Sequence, residues 1–311
     1  MKPKLIVVLG PTAVGKTALS VELAAALDGE IISGDSMQVY RYLDIGTAKI
    51  RPEEKIAANG KEIPHHLIDI LNPDEPYTVA DFQKAAAALV TEINGRGKTP
   101  IVVGGTGLYV SALIHGYTFH ENEGENSEFR RRKQREFREK GGAELLAELA
   151  AVDAATAAKT SPSDGKRIIR ALEVYHLTGK PLSAQSEKKP PNWDIRLIGL
   201  HRERAQLYER INQRVLQMMA DGLEEEVRGL LAAGWSPLLK PMQGLGYKQM
   251  CGYLAGKLSY EEAVELIQRD TRRFAKRQLT WWRREPDIHW FDLTRVTAVS
   301  EILPEILPVC Q

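Results

Sequence analysis

Residues 5–17 read Leu5-Ile6-Val7-Val8-Leu9-Gly10-Pro11-Thr12-Ala13-Val14-Gly15-Lys16-Thr17. Five consecutive apolar residues closed by a glycine describe a strand buried on both faces, and an amphipathic helix over 16–27 is expected to follow. The turn between them fits G-x-x-x-x-G-K-[ST] in the strand–loop–helix setting that this pattern requires. Glycines let such a loop wrap closely around a phosphate with its amide N–H groups pointing inward. The helix N-terminus adds the positive end of its dipole. Lys16 supplies a point charge, and the Thr17 hydroxyl suits Mg²⁺. The eight residues Gly10, Pro11, Thr12, Ala13, Val14, Gly15, Lys16 and Thr17 form a polyphosphate cradle, a device that serves many reactions.

Strand and helix keep alternating outward from this loop. Strands are expected at 30–33, 66–71 and 100–103, with a helix over 79–93 capped by Thr78 and another running to His115. This succession predicts an α/β fold, a P-loop NTPase-like parallel sheet flanked by helices. Past Tyr117 the composition changes. Helical periodicity at 126–140, 143–150 and 165–177 occurs with no convincing strand until 195–200. The expected organisation is a P-loop catalytic core over 1–119 and 195–311, interrupted by an all-helical insertion over 120–194. The rest reads as mainly helical, at 204–219, 222–233 and 260–284, with a Gly-rich connection at 244–246.

The chain has 311 residues, 43% hydrophobic and 27% charged, which places it among ordinary globular proteins. Its two cysteines, Cys251 and Cys310, lie far apart, so neither a disulfide framework nor a zinc site is expected. The first apolar run is too short to span a bilayer and no signal pattern precedes it, so a cytoplasmic location is expected. A net charge of +1 does not announce a nucleic-acid partner, but the charge is unevenly placed. Six basic residues stand against one acid between Arg130 and Arg138, and seven against one between Arg269 and Arg284. Arg269, Arg272, Arg273, Lys276 and Arg277 share one helical stripe.

The second strand runs into Gly34-Asp35-Ser36-Met37-Gln38. Ligands of open parallel sheets sit beyond the carboxyl ends of the strands, which brings Asp35 beside the cradle. There it suits a general base, and it equally suits a helix cap; the residue alone leaves both open. Thr106, in the turn Gly104-Gly105-Thr106-Gly107, is expected at the same crevice. Adjacent His65 and His66 resemble a metal pair, but neighbours in a strand point to opposite faces, so they read as structural.

Taken together, GPTAVGKT, ISGDSMQVYRYLDIGTAK (32–49), PHHLIDI (64–70), IVVGGTGLYVSALI (101–114), KRIIRALEVYHLTGKPLS (166–183), RINQRVLQMMADGLEEEV (210–227), GLGYKQM (244–250) and KRQLTWWRR (276–284) resemble the tRNA dimethylallyltransferases, also called tRNA isopentenyltransferases. The likeness covers nearly the whole chain in order, and DSMQVYRYLDIGTAK and VGGTGLY are very specific to that family. It implies that the cradle and Mg²⁺ hold the diphosphate of dimethylallyl diphosphate. The acceptor it implies is N6 of the adenosine immediately 3′ of the anticodon, flipped out of the stack. By the same resemblance Asp35 is the base, and Lys16, Thr17, Mg²⁺ and Arg214, in the RIxxR stretch, stabilise the leaving group. Thr106 contacts the base, and Asp35, Ser36, Met37 and Gln38 line its path.

Contacts with the anticodon stem-loop are implied for Arg130, for Lys166, Arg167 and Arg170, for Gly246, Tyr247 and Lys248, and for the stripe residues Arg272, Arg273, Lys276 and Arg277. No membrane and no stable protein partner is implied. Three rivals share the cradle: a small-molecule kinase, a prenyltransferase acting on free adenine nucleotides, and a non-catalytic RNA-binding nucleotide switch. None of them needs both VGGTGLY and the basic stripe.

Overall fold

The computed structural model describes residues 2–119, 127–185 and 188–311. Six strands, β1 Lys4–Leu9, β2 Gly29–Ser33, β3 His65–His66, β4 Thr99–Gly104, β5 Asp194–His201 and β6 Ile288–Asp292, make one all-parallel sheet in the order β3-β2-β4-β1-β5-β6. The helices are α1 Lys16–Ala26, α2 Val79–Gly95, α3 Gly107–His115, α4 Ser127–Lys140, α5 Gly142–Val152, α6 Ala154–Ala157, α7 Gly165–Thr178, α8 Arg204–Ala220, α9 Leu223–Ala232, α10 Tyr247–Leu254, α11 Tyr260–Trp282 and α12 Val299–Cys310.

Alternation along β1 explains how both faces of the sheet are covered. Leu5, Val7 and Leu9 join a core with Phe82 of α2, Val110 of α3 and Trp282 of α11. Ile6 and Val8 join another with Leu19 of α1, Leu207 of α8 and Ile306 of α12. Strands buried on two sides need the near-continuous apolar runs that the sequence shows. Thr78 caps α2 as expected: its hydroxyl accepts from the Asp81 amide, and the Asp81 carboxylate accepts from the Thr78 amide.

The chain divides into a unit of Met1–Ile114 with Asn192–Gln311 and a unit of His115–Pro191. In the second, α4, α5 and α7 enclose a core of Phe129, Leu145, Leu149, Ile168 and Leu172. Residues 120–126, including Asn126 of the expected helix, lie outside the described residues.

Two local expectations change, and the chain past residue 285 holds a further helix. The strand over 66–71 ends after His66, because Leu67 and Asp69 adopt positive φ values of 60° and 57° and turn the chain away. The mainly helical C-terminal part contains β6, a strand of only five residues that extends the sheet beyond β5. It also contains α12, which carries Pro304 and Pro308 inside the helix and so reads as broken in sequence. His65 and His66 are structural as expected. His66 Nε2 pairs with the buried Glu30 at 2.7 Å, and His65 Nδ1 lies 2.7 Å from the Ile63 carbonyl. Among the described residues no helix is long and apolar enough to cross a membrane.

Candidate active site

Beyond the carboxyl ends of β1, β2 and β4 lies a cavity of about 950 Å³, onto which Lys16, Thr17, Asp35, Gln38 and Arg214 all open. The cradle is shaped by what holds its carbonyls. Lys16 Nζ donates to the carbonyls of Gly10 at 3.0 Å and Pro11 at 2.8 Å. Arg210 Nε donates to the Ala13 carbonyl and Arg202 Nε to that of Val14, each at 3.0 Å. In a trans peptide the N–H points opposite the C=O. The Val14 and Gly15 amides therefore point opposite to the bonded carbonyls of Ala13 and Val14, and the first-turn amides of α1 have no intrahelical partner, so these N–H groups are available to a ligand. Ala13 takes φ 63° and Gly15 φ 118°, the left-handed conformations that such a concave amide cluster needs.

Two cations, Lys16 and Arg214, open onto the cavity. Burial brings the Lys16 ammonium down to about 7, Arg214 presses it further, and Asp35 offsets part of the effect. Burial and the neighbouring Arg210 likewise pull Arg214 below the ordinary arginine value. Its guanidinium makes no hydrogen bond or ion pair with the described residues. Lys16, Arg210 and Arg214, crowded together beside amide donors, are an environment for a polyanion such as diphosphate.

Asp35 is raised above the usual carboxylate range, chiefly by burial, while the Met37 and Gln38 amides and Lys16 pull the other way. Its Oδ1 accepts from the Met37 amide at 2.8 Å. No helix follows, so Asp35 is not a helix cap; it closes a turn, and the same carboxylate opens onto the cavity of the cradle. Thr106 stands beside it, with Oγ1 accepting from the Ser36 amide at 3.2 Å. Gln38 accepts from Ser33 Oγ at 2.9 Å and donates to the carbonyls of Thr47 and Ala48 at 3.3 Å. Residues 35–51 thereby become the wall opposite the cradle.

Sequence reasoning missed what holds this wall. Both carboxylate oxygens of Glu226 on α9 accept backbone N–H groups, from Asp44 at 3.0 Å, Ile45 at 2.7 Å and Gly46 at 3.3 Å. Tyr247 Oη donates to the same carboxylate at 2.5 Å. The Tyr247 ring lies so close to Gly46 that an added Cβ would sit 2.4 Å from it. Buried Lys49 donates to the Tyr40 carbonyl and pairs with Asp44 and Asp69 at 2.5 and 2.6 Å. Glu226 lies in an acidic first turn of a helix and looks like ordinary dipole compensation. Only its meeting with a loop some 180 residues away gives it a role.

The residues expected to touch RNA fall into two groups. Arg273, Lys276, Arg277 and Lys248 are exposed on the first unit, as are Lys166 and Arg167 on the second. Others are committed internally. Tyr247 is buried, so its side chain supports the wall rather than offering a surface. Arg272 donates to Asn212 Oδ1 at 2.5 Å, tying α11 to α8. Within the second unit, Arg130 and Arg170 each lie 2.8 Å from the fully buried Glu173, and Lys133 pairs with Glu136 and Glu148. Gly246, at φ 86°, starts α10 with its amide donating to Gln249.

A parallel sheet with a G-x-x-x-x-G-K-[ST] loop after its strand β1, and a buried carboxylate and two cations opening onto the same cavity, defines an enzyme of the P-loop type that handles a polyphosphate. The particular kind follows from likeness. Residues 38–285 match the family model for IPP transferase and residues 3–59 that for isopentenyl transferase, and the chain belongs to the IPP transferase family. It is 52% identical over 309 residues to a tRNA dimethylallyltransferase of Symbiobacterium thermophilum, covering 99% of this chain and 95% of that one. Another, of Carboxydothermus hydrogenoformans, is 51% identical over 94% of this chain and 93% of its own. Among solved structures, the full-length tRNA isopentenylpyrophosphate transferase of Bacillus halodurans superposes with a TM-score of 0.73 at 44% identity, over 99% of this chain and 97% of that one. A eukaryotic dimethylallyltransferase captured acting on tRNA gives 0.77 at 30% identity, over 97% and 77%.

Proposed function

We propose that this chain transfers the dimethylallyl group of dimethylallyl diphosphate to N6 of the adenosine immediately 3′ of the anticodon in tRNA, releasing diphosphate. The observation that carries the reading is the opposition of Asp35 and the cradle across one cavity. A leaving group can be held on one side while a proton is taken on the other. Family membership supports the prenyl donor and the tRNA acceptor.

In the reaction the adenine N6 lone pair forms a bond to the allylic C1, and the C1–O bond breaks with its electrons passing to diphosphate. N6 thereby becomes cationic and loses a proton to Asp35. Asp35 suits this role because burial raises the proton affinity of its carboxylate above the ordinary range. Lys16, Arg214 and the amides of the loop take up charge as it grows on the leaving oxygen. Thr106 and Gln38 orient the base, and the cavity keeps water from an allylic centre with cationic character.

Mg²⁺ fits the residues present. The Thr17 hydroxyl opens onto the cavity, and no cluster of three His, Cys, Asp or Glu side chains suited to a metal occurs among the described residues. An ion held by one hydroxyl, water and substrate oxygens matches the preference of Mg²⁺. When bound it would add positive charge at the diphosphate. The exposed Arg273, Lys276, Arg277, Lys248, Lys166 and Arg167 serve the stem-loop phosphates. The cytoplasm, where tRNA is found, is the proposed location.

The test offers labelled dimethylallyl diphosphate with Mg²⁺ to bulk tRNA, to AMP or to no acceptor, with ATP hydrolysis followed in parallel. Label should enter tRNA alone. Transfer to AMP, or tRNA-independent ATP hydrolysis without prenyl transfer, would point to the rival nucleotide-handling readings instead.

A further inference from the structure

Helix α11 places Gln278 between the two loops that the reaction brings together. We infer that Gln278 is a positioning residue, whose carboxamide clamps the diphosphate cradle to the turn Gly104-Gly105-Thr106-Gly107 and so sets the distance between the allylic carbon and the base. The inference rests on the reading of the site proposed above.

The clamp is built from both ends of one amide. Gln278 Oε1 accepts from the Thr12 amide of the cradle at 2.9 Å, and Nε2 donates to the Gly105 carbonyl at 3.0 Å. Only one orientation of the carboxamide satisfies both partners. The side chain is 6% exposed, so neither bond is shared freely with bulk water. Pro11 has no N–H, and the Thr12 N–H is taken by Gln278. The edge of the cradle is therefore attached to α11 rather than left for ligand.

Gly105 has to be glycine for this to work, because a Cβ there would lie 2.1 Å from Nε2. One turn on, Trp281 holds the far end of the same turn. Its Nε1 donates to Ser111 Oγ at 3.0 Å, and its ring fills the space a Cβ of Gly107 would need. From Gly105 the chain passes to Thr106, which accepts from Ser36 beside Asp35. One connected path thus runs from the loop that holds the leaving group, through Gln278, to the residues beside the base. Glutamine alone supplies a neutral donor and acceptor at this reach; asparagine is one methylene short.

Rigid placement of reacting groups matters because a shift near 1 Å costs roughly 10²-fold in rate. The experiment uses the full chain with dimethylallyl diphosphate, Mg²⁺ and an anticodon stem-loop, measuring kcat, stem-loop affinity and thermal unfolding. Gln278→Met keeps length and burial and loses both bonds, so kcat should fall about 10- to 10²-fold, with stem-loop affinity within about twofold of the parent. Gln278→Glu keeps the acceptor for Thr12 but sets a buried carboxylate oxygen against the Gly105 carbonyl, so kcat should fall at least as far as in Gln278→Met.

If Gln278→Met fails to fold, a double-mutant cycle decides. Gly105→Ala should lower kcat severely in the parent, where the new methyl strikes the clamp. In a Gln278→Ala background, where that space is free, it should cost little more. A folded Gln278→Met variant with parental kcat, or losses at positions 105 and 278 that simply multiply, would overturn the inference. A parent that transfers nothing to RNA would instead sink the reading of the site, and the inference with it.

Discussion

The cradle at residues 10–17 and the wall at residues 35–51 face the same cavity but are held by different kinds of contact. The cradle is one short run that bonds partly to itself and is braced from outside by Arg202, Arg210 and Gln278. Lys16 returns to the carbonyls of Gly10 and Pro11, and the loop runs directly between β1 and α1. The wall has no regular structure of this kind. Its shape comes from Glu226 and Tyr247, far along the chain, and from Lys49 bridging Asp44 and Asp69. The grip on phosphate is written in one short run that distant side chains brace, whereas the wall has no such run and is assembled from distant parts throughout. The consequence is that the acceptor side should be open to damage from residues that touch no substrate.

The sharpest way to probe the comparison is to remove the one side chain of the wall that does chemistry. Asp35→Asn keeps the acceptor for the Met37 amide and loses the base. Turnover should fall by about 10²–10⁴-fold with tRNA affinity nearly unchanged. Turnover within a few-fold of the parent would take the base role away from Asp35.

The cradle is probed by pH. Burial and Arg214 bring Lys16 down to about 7, and it must be protonated to meet diphosphate. Hence kcat/KM for dimethylallyl diphosphate should fall above pH 7, about tenfold per unit once well past that value. Bound diphosphate adds negative charge next to Lys16 and raises its pKa, so the same limb in kcat should move to higher pH. On the acid side the raised pKa of Asp35 should bring the rising limb above the ordinary carboxylate range. Coincident alkaline limbs in kcat and kcat/KM would argue that Lys16 does not meet the diphosphate.

Glu226→Gln tests the remote support. Three N–H donors lose a charged acceptor, at a cost of about 1–3 kcal/mol in holding the wall. We expect about a tenfold loss in kcat/KM for tRNA, with kcat/KM for the diphosphate changed much less. Equal losses for both substrates would erase the distinction between the two sides.

The smallest effect belongs to the outer stripe. Arg273→Ala with Lys276→Ala should weaken binding across tRNA sequences alike. The slope of log affinity against log salt should drop by about 0.7–0.9 per lost contact, and stability should change by only about 0–1 kcal/mol. An unchanged slope in the folded variant would make the stripe an ordinary solvated face.

What the sequence made readable followed the same division. Buried parallel strands, the cradle and Asp35 were legible because each is written in a short run whose chemistry is local. The strand over 66–71 was misjudged because Asp69 turns out of line to meet Lys49, a partner 20 residues away. The basic run at 130–138 looked like one surface. Yet Arg130 and Lys133 are drawn inward by acids on other helices, Glu173 and Glu148, and no periodicity encodes that. Nothing local marks Gln278 inside the basic helix, since what it joins is two backbone groups far along the chain.

The account stands most directly on where the prenyl group goes. Two anticodon stem-loops differing only in the base 3′ of the anticodon, adenine or guanine, are incubated with labelled dimethylallyl diphosphate, Mg²⁺ and the full chain, then digested to nucleosides. The account predicts label in a single nucleoside, N6-dimethylallyladenosine, from the first RNA and none from the second. Label at another position, or equal label in the guanine RNA, would contradict it.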